Sequence, residues 1–171
     1  DYKDTINLPR TAFAMKANLA NREPGMIEAW EQADLYGQIQ EQTQDRPLWI
    51  LHDGPPYANG DIHMGHAVNK ILKDMVVKSR LMAGYRSPYV PGWDCHGLPI
   101  EHRVLKDLGQ RAAGMAPGQI RKRCHDEAQK FIKLQARQMR RLGTIGDYEQ
   151  PYKTMDPSYE AATLEVFARL V

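Results

Sequence analysis

His63 and His66 stand three residues apart, with Gly65 between them, where a turn-rich segment gives way to a helical pattern. That spacing lets one helical turn aim both imidazoles the same way. Imidazoles suit hydrogen bonding to phosphate, acid–base work and metal ligation. A helix start adds unpaired N–H groups and a positive dipole end, both attractive to phosphate. Gly65 lacks a Cβ, which leaves room for a flat base against the backbone. The pair encloses no Glu as in a zincin helix, and the segment is neither Gly-x-Gly-x-x-Gly nor a P-loop. On spacing alone, two plain surface histidines, a metal site and a phosphate site all stay open. A second candidate is Asp94, between Trp93 and Cys95. A carboxylate there suits a substrate ammonium, in a charge-assisted bond worth roughly 1.5–3 kcal/mol. Its plainer role is to cap a turn.

The elements that must position these groups are legible in the pattern. Leu48–Leu51 is apolar and predicts one short buried strand. Gly54, Pro55, Pro56, Asn59 and Gly60 then break regular structure. Gly54 would let the backbone approach a ligand, and Pro55 would offer rigid apolar wall; a structural turn is equally good physics. Val68, Ile71, Leu72, Met75, Val76 and Ser79 fall at helical spacing, which predicts a helix packing its apolar face, stopped by Gly84. Arg86–Val90 reads as a second strand ended by Pro91-Gly92. Strand, helix, strand predicts a parallel, right-handed crossover. Both motif loops, 52–60 and 91–99, then lie side by side at the carboxyl ends of the strands, where such sheets bind ligands.

Around this unit, residues 1–22, with Pro9, Met15 and Leu19, read as an extended arm with at most one helical turn. A helix is predicted from Pro24 to Tyr36, with Trp30 toward the core and Gly37 as its stop. Gln38–Arg46 is a polar surface connection with room for a short helical extension. Glu101–Leu108 reads as helix and Gly109–Pro117 as loop. A long helix from Gly118 carries an apolar stripe of Ile120, Cys124, Ala128, Phe131, Met139 and Leu142. Gly143 and Gly146 break it, Tyr148–Thr154 is extended or irregular, and Pro157 opens a last helix. Ala161, Leu164, Phe167 and Leu170 are still in phase at Val171, which predicts truncation.

The composition, 42% hydrophobic and 26% charged over 171 residues, is ordinary for a globular protein. No apolar run approaches the ~18 residues of a membrane helix, and no signal-peptide core is present, so cytoplasm is expected. Two cysteines argue against a disulfide scaffold. Cys95-His96 and Cys124-His125 have zinc-type ligands without the spacing of structural zinc sites, and adjacent side chains on extended backbone diverge, which disfavours a Cys95–His96 nucleophile. Between Gly118 and Leu142 eight Lys or Arg face two acids, a local net of +6; against +2 overall, the rest carries −4. Such a stripe is either a solvated helix face or a polyanion contact.

The run Pro56-Tyr-Ala-Asn-Gly-Asp-Ile-His-Met-Gly-His66 closely resembles the HIGH signature of class I aminoacyl-tRNA synthetases, with Met64 for the usual isoleucine. Pro91-Gly-Trp-Asp-Cys-His-Gly-Leu-Pro-Ile-Glu101 resembles the second landmark of the isoleucine, leucine and valine branch, and both motifs are worded like the bacterial isoleucyl family. The likeness runs from Tyr2-Lys3 and Asn7-Leu8-Pro9 through Arg141-Leu142-Gly143 to Tyr152–Asp156. The resemblance implies an α/β fold: the first half of a Rossmann-like nucleotide-binding domain over residues 47–171, preceded by an N-terminal arm and helix over 1–46. It implies activation of L-isoleucine by ATP, with Mg2+ as the counter-ion of ATP, and transfer to tRNA(Ile) by a cytoplasmic, monomeric full-length enzyme. His63 and His66 would act on the phosphates, with Gly65 and Asn59 completing the ATP side. Gly54, Pro55, Tyr57, Trp93 and Asp94 would form the amino-acid side. Arg121, Lys122, Arg137 and Arg140 would contact the tRNA backbone, and no residue is assigned as a metal ligand. No Lys-Met-Ser-Lys-Ser-like stretch occurs in the chain, so by itself it is expected to be inactive. The alternatives are a valyl- or leucyl-type fragment and a non-catalytic nucleotide- or RNA-binding module. Isoleucine and valine differ by one methylene, worth only ~1–3 kcal/mol in a pocket.

Overall fold

The segment Arg86–Asp94 is the spine of the structure, a computed structural model that describes residues 2–7, 11, 12 and 16–171. Extended backbone points successive amides to opposite sides, and this segment uses both. On one side Trp49 N–H donates to the Arg86 carbonyl at 2.8 Å, Arg86 N–H to Pro47 at 3.0 Å, Asp94 N–H to Pro56 at 2.8 Å and Ala58 N–H to Asp94 at 3.0 Å. On the other, Asp147 N–H donates to Tyr89 at 2.9 Å, Tyr152 N–H to Pro91 at 3.1 Å and Thr154 N–H to Trp93 at 3.1 Å. All pairings are parallel: the bridges Leu48–Arg86 and Tyr57–Asp94, and a two-stranded sheet of β1 (Gly92–Trp93) with β2 (Tyr152–Lys153). The two motif loops are therefore neighbours, as expected.

Helices surround this spine in the order α1 (Leu19–Gln32), α2 (Leu35–Gln42), α3 (Met64–Met82), α4 (Leu98–Leu108), α5 (Pro117–Arg141) and α6 (Pro157–Ala168). A 3-10 stretch, Gly109–Gly114, links α4 to α5. The core lies between α4, α5 and the spine, where Trp93, Ile100, Ala128, Phe131, Ile132, Met139 and Tyr148 pack together. The apolar stripe of α5 faces it as predicted, with Gln135 set among its buried positions.

Two glycines are fitted to single partners. A Cβ on Gly92 would lie 2.0 Å from Cζ of Tyr152, so only glycine lets that ring lie over β1. Gly92→Ala is expected to destabilise the fold by about 1–3 kcal/mol through overpacking. Gly25→Ala, in α1 with nothing within 4 Å of the added carbon, is the control. Urea unfolding of the two variants, with only the first losing stability, is the check. A Cβ on Gly37 would strike the Asp34 carboxylate at 2.1 Å, and that carboxylate accepts the Gly37 N–H at 3.2 Å as the cap of α2.

Several expectations are corrected. The helix predicted from Pro24 begins at Leu19 and holds Pro24 inside it; it ends at Gln32, and Asp34 in left-handed conformation (φ 45°) starts α2 through the predicted stop at Gly37. An Asp readily takes that conformation because its short side chain bonds locally. Of the N-terminal arm, Pro9 and Met15 lie outside the described residues; Lys3–Thr5 forms a 3-10 turn. The strand at Leu48–Leu51 reduces to one bridge, with Leu48 60% and Ile50 62% exposed, because among the described residues it has a neighbour on one side only. Arg86–Val90 contributes a single bridge, and the regular strand lies beyond it at Gly92–Trp93. The last helix stops at Ala168, and Leu164, Phe167 and Leu170 are exposed.

The largest reversal concerns α3. Its apolar residues Val68, Ile71, Leu72, Met75 and Val76 are exposed, and the face turned inward carries Lys70 and Val77 with half-buried Ala67, Lys73, Asp74 and Lys78. Specific acceptors and donors hold the polar ends: Lys70 and Lys73 bind Asp53, and Asp74 accepts Ile145 N–H at 3.0 Å. An apolar face of this extent promotes association. The isolated chain is expected to self-associate through it, and Leu72→Glu with Met75→Glu to shift sedimentation to monomer; a monomer without the substitutions would refute this.

Candidate functional site

Helix α3 begins by capping itself with its two histidines. His63, the N-cap residue, accepts Gly65 N–H on Nδ1 at 3.0 Å, and its own N–H donates to Nδ1 of His66 at 3.3 Å. This is the reciprocal arrangement of a capping box. It also fixes the chemistry of both rings. A nitrogen that accepts holds a lone pair, so each neutral imidazole carries its proton on Nε2. The rings stack with centroids 4.0 Å apart and present two Nε2–H donors together. His66 is pushed below the ordinary histidine range by burial, then by His63 and Lys70, which keeps its ring neutral near pH 7. Gly65 serves this cap first: a Cβ there would lie 2.9 Å from the His63 ring.

The loop leading to the histidines is held from beneath by α4 and α5. Gln135, buried, donates to the carbonyls of Tyr57 at 3.1 Å and Gly60 at 2.7 Å, and accepts the indole N–H of Trp93 at 2.9 Å. Gln138 accepts Ile62 N–H at 3.0 Å and donates to Asp61 at 2.6 Å. Arg103 donates to the Asn59 carbonyl at 2.9 Å. With its carbonyl so held, Asn59 sits in an ordered loop, and Tyr57 keeps its ring half outside at 47% exposure.

Asp94 follows β1 directly. Its Oδ1 accepts His96 N–H at 3.3 Å and lies 3.4 Å from the Thr154 hydroxyl, which itself accepts Cys95 N–H at 2.8 Å. These contacts give Asp94 the turn-capping role and engage Oδ1, with neither of them on Oδ2. Trp93 is wholly buried, so its side chain places Asp94 and does not reach the surface. Gly54 is open, with nothing within 4 Å of an added Cβ, and Pro55 is half-buried beside it. Beyond Asp94, a cavity of about 500 Å³ is lined by Cys95, His96, Ile100, Glu101, Cys124 and Glu160. Burial pushes both thiols up, which suits packing and not nucleophilic attack. No group of three His, Cys, Asp or Glu able to hold a metal occurs among the described residues.

One buried cluster has no counterpart in the sequence reading. Asp53, the residue before Gly54, has a fully buried carboxylate. Its Oδ2 accepts from Lys70 and from Gly92 N–H at 3.3 Å, its Oδ1 accepts from Lys73, and its carbonyl accepts from the Tyr152 hydroxyl. Burial raises the Asp53 carboxyl, but the two lysines outweigh it and hold it below the usual carboxylate range. Lys70 also donates to the Tyr89 hydroxyl at 3.1 Å. Spacing held a clue: 63, 66, 70 and 73 repeat along one helix face.

The basic stripe divides. Arg121, Lys122 and Arg137 are exposed on α5. Arg140 is spent on internal pairs with Glu149 and with Glu31 at 3.5 Å, and lies over the Tyr148 ring at 5.3 Å, which withdraws it from a backbone contact.

Parallel motif loops with a histidine-capped helix make a partial Rossmann-like α/β unit. Residues 25–171 match the sequence model of the class I tRNA synthetases for I, L, M and V, and the chain belongs to that family. Over all 171 residues it is 57% identical to the isoleucine–tRNA ligase of Thermotoga petrophila and 54% identical to that of Kosmotoga olearia, spanning 19% of each. At 54% identity it covers 18% of the isoleucine–tRNA ligase of Saccharophagus degradans. The chain thus spans about a fifth of the length of these curated relatives. The fold is similar to that of LeuRS in its ternary complex with tRNA and LeuAMS from Agrobacterium radiobacter K84, with a TM-score of 0.67 at 22% identity, over 91% of this chain and 18% of that one.

Proposed function

We propose that this chain is the part of an isoleucine–tRNA ligase that carries the histidine half of its ATP and amino-acid site. The observation that carries the reading is the Tyr57–Asp94 pairing, which brings a carboxylate beside the loop that ends in the two stacked histidines, each with Nδ1 engaged in the cap. The identity of the ligase relatives over the whole chain supports isoleucine as the amino acid.

In the reaction this implies, the isoleucine carboxylate attacks the α-phosphorus of ATP, the bond to the bridging oxygen breaks, and pyrophosphate leaves. The acyl group then passes to the 3′ end of tRNA(Ile) and AMP is released. The protein supplies placement and charge stabilisation rather than a nucleophile. The Nε2–H groups of His63 and His66 donate to phosphate oxygens as charge moves onto them. Asp94 Oδ2 takes the substrate ammonium, and Gly54 with Pro55 forms wall beside it, with Tyr57 and Asn59 ordering the loop. Mg2+ enters with ATP as part of the substrate. Arg121, Lys122 and Arg137 offer the tRNA backbone a sequence-independent contact.

The test is ATP–pyrophosphate exchange by a full-length ligase carrying this segment, with isoleucine, valine and leucine compared. Isoleucine is expected to give the highest kcat/KM; preference for either competitor would refute the assignment. The 171-residue chain alone, lacking the lysine-rich signature stretch, is expected to charge no tRNA, and turnover abolished by His66→Ala would refute that.

A further inference from the structure

We infer that Asp53 is a positioning residue that locks the Gly54–Pro55 turn, the histidine helix and the Asp94 strand into one register through Lys70, Lys73 and the Gly92 amide. The inference rests on the function proposed above. One carboxylate touches all three parts of the site. Asp53 is covalently next to Gly54. Lys70 and Lys73 lie one and two turns below His66 on the histidine face of α3. Gly92 precedes Asp94 by two residues, so both point their amides to the same side of the strand.

Stability alone does not account for this cluster. A buried ion pair gains little over well-packed apolar residues, because desolvation offsets the attraction. Here one anion faces two cations, with Lys70 2% and Lys73 18% exposed, which leaves a positive excess under the histidines. What such a cluster supplies is direction. Each oxygen has its own fixed donor, and the Tyr152 hydroxyl holds the backbone of the same residue. A displacement of this carboxylate moves the wall, the ammonium anchor and the phosphate donors together, and a misplacement of about 1 Å costs on the order of 100-fold in rate.

The experiment uses a full-length ligase carrying this chain. Asp53→Asn is expected to lower kcat/KM for isoleucine in exchange by about 100-fold. It also destabilises, since an amide then faces two ammoniums. Asp53→Leu with Lys70→Met removes the buried charge as a pair, so the melting temperature is expected to return toward wild type while exchange stays at least about 10-fold down, with a raised KM for isoleucine. Exchange that recovers in step with the melting temperature would mean a merely structural role and overturn the inference. Lys73→Met, at a partly exposed position, covers the case in which the double variant does not fold. It is expected to lower kcat/KM about 3- to 10-fold at an unchanged melting temperature, a fraction of the misplacement cost. Unchanged exchange there overturns the inference too. Wild-type enzyme without isoleucine-dependent exchange would instead refute the function on which it rests.

Discussion

His63→Asn in a full-length ligase is expected to slow adenylation by about 10- to 1000-fold, the scale of losing one preorganised oxyanion donor, while leaving the melting temperature nearly unchanged. The asparagine oxygen replaces Nδ1 as acceptor for Gly65 N–H, and Asn is among the preferred N-caps. What is lost is the Nε2–H. His63→Ala removes cap and donor together, so it should add a stability loss of about 0.5–2 kcal/mol to a similar kinetic loss. Equal exchange rates in wild type and His63→Asn would sink the phosphate role and leave a cap only. The same geometry sets a pH dependence. The folded state holds His66 below its ordinary range, so the unfolded chain takes up this proton first as pH falls. This residue therefore penalises folding as pH drops below about 6.5, and not above it. Above that pH His66 should add no pH dependence to exchange, because its ring already carries one proton, on Nε2. His66→Gln, which cannot titrate, should remove this part of the acid-side loss of stability.

Asp94→Asn should raise KM for isoleucine by about 10- to 100-fold, equivalent to a charge-assisted bond of roughly 1.5–3 kcal/mol, with KM for ATP little changed. Oδ1 already accepts His96 N–H, so the amide oxygen takes that place and the new NH2 points where Oδ2 was. A donor then meets the substrate ammonium, which is worse than a missing charge. The half-exposed position and retained turn bond predict an intact fold. Loss of ATP binding with isoleucine binding preserved would assign Asp94 to the nucleotide instead.

Much of this was legible in the chain itself. Glycine and proline placement bounded α5 and ended α3 and α4, because backbone restrictions act locally; α4 starts at Leu98, after Gly97, where the pattern places its start at Glu101. The parallel placing of the two motif loops followed from strand–helix–strand order and the handedness of crossovers. The candidates His63 and His66 came from residue type and spacing, sharpened by resemblance, whereas Asp94 read as a turn cap until the resemblance made it an anchor. Tertiary structure alone decided which way those side chains are held. The tautomers of the histidines depend on two short contacts that no period reveals. The inward face of α3 was misjudged because an apolar stripe predicts burial only when a partner covers it, whereas here Asp53 and the Ile145 amide draw the polar face inward. Gln135 was visible as a polar residue within an apolar stripe, yet its three partners lie 42 to 78 residues away. Asp53 drew no reading of its own within the 52–60 loop, since its role depends on Lys70, Lys73 and Gly92 meeting at one carboxylate. Local chemistry writes elements into sequence; long-range hydrogen bonds between buried polar groups exist only once the chain has closed around them.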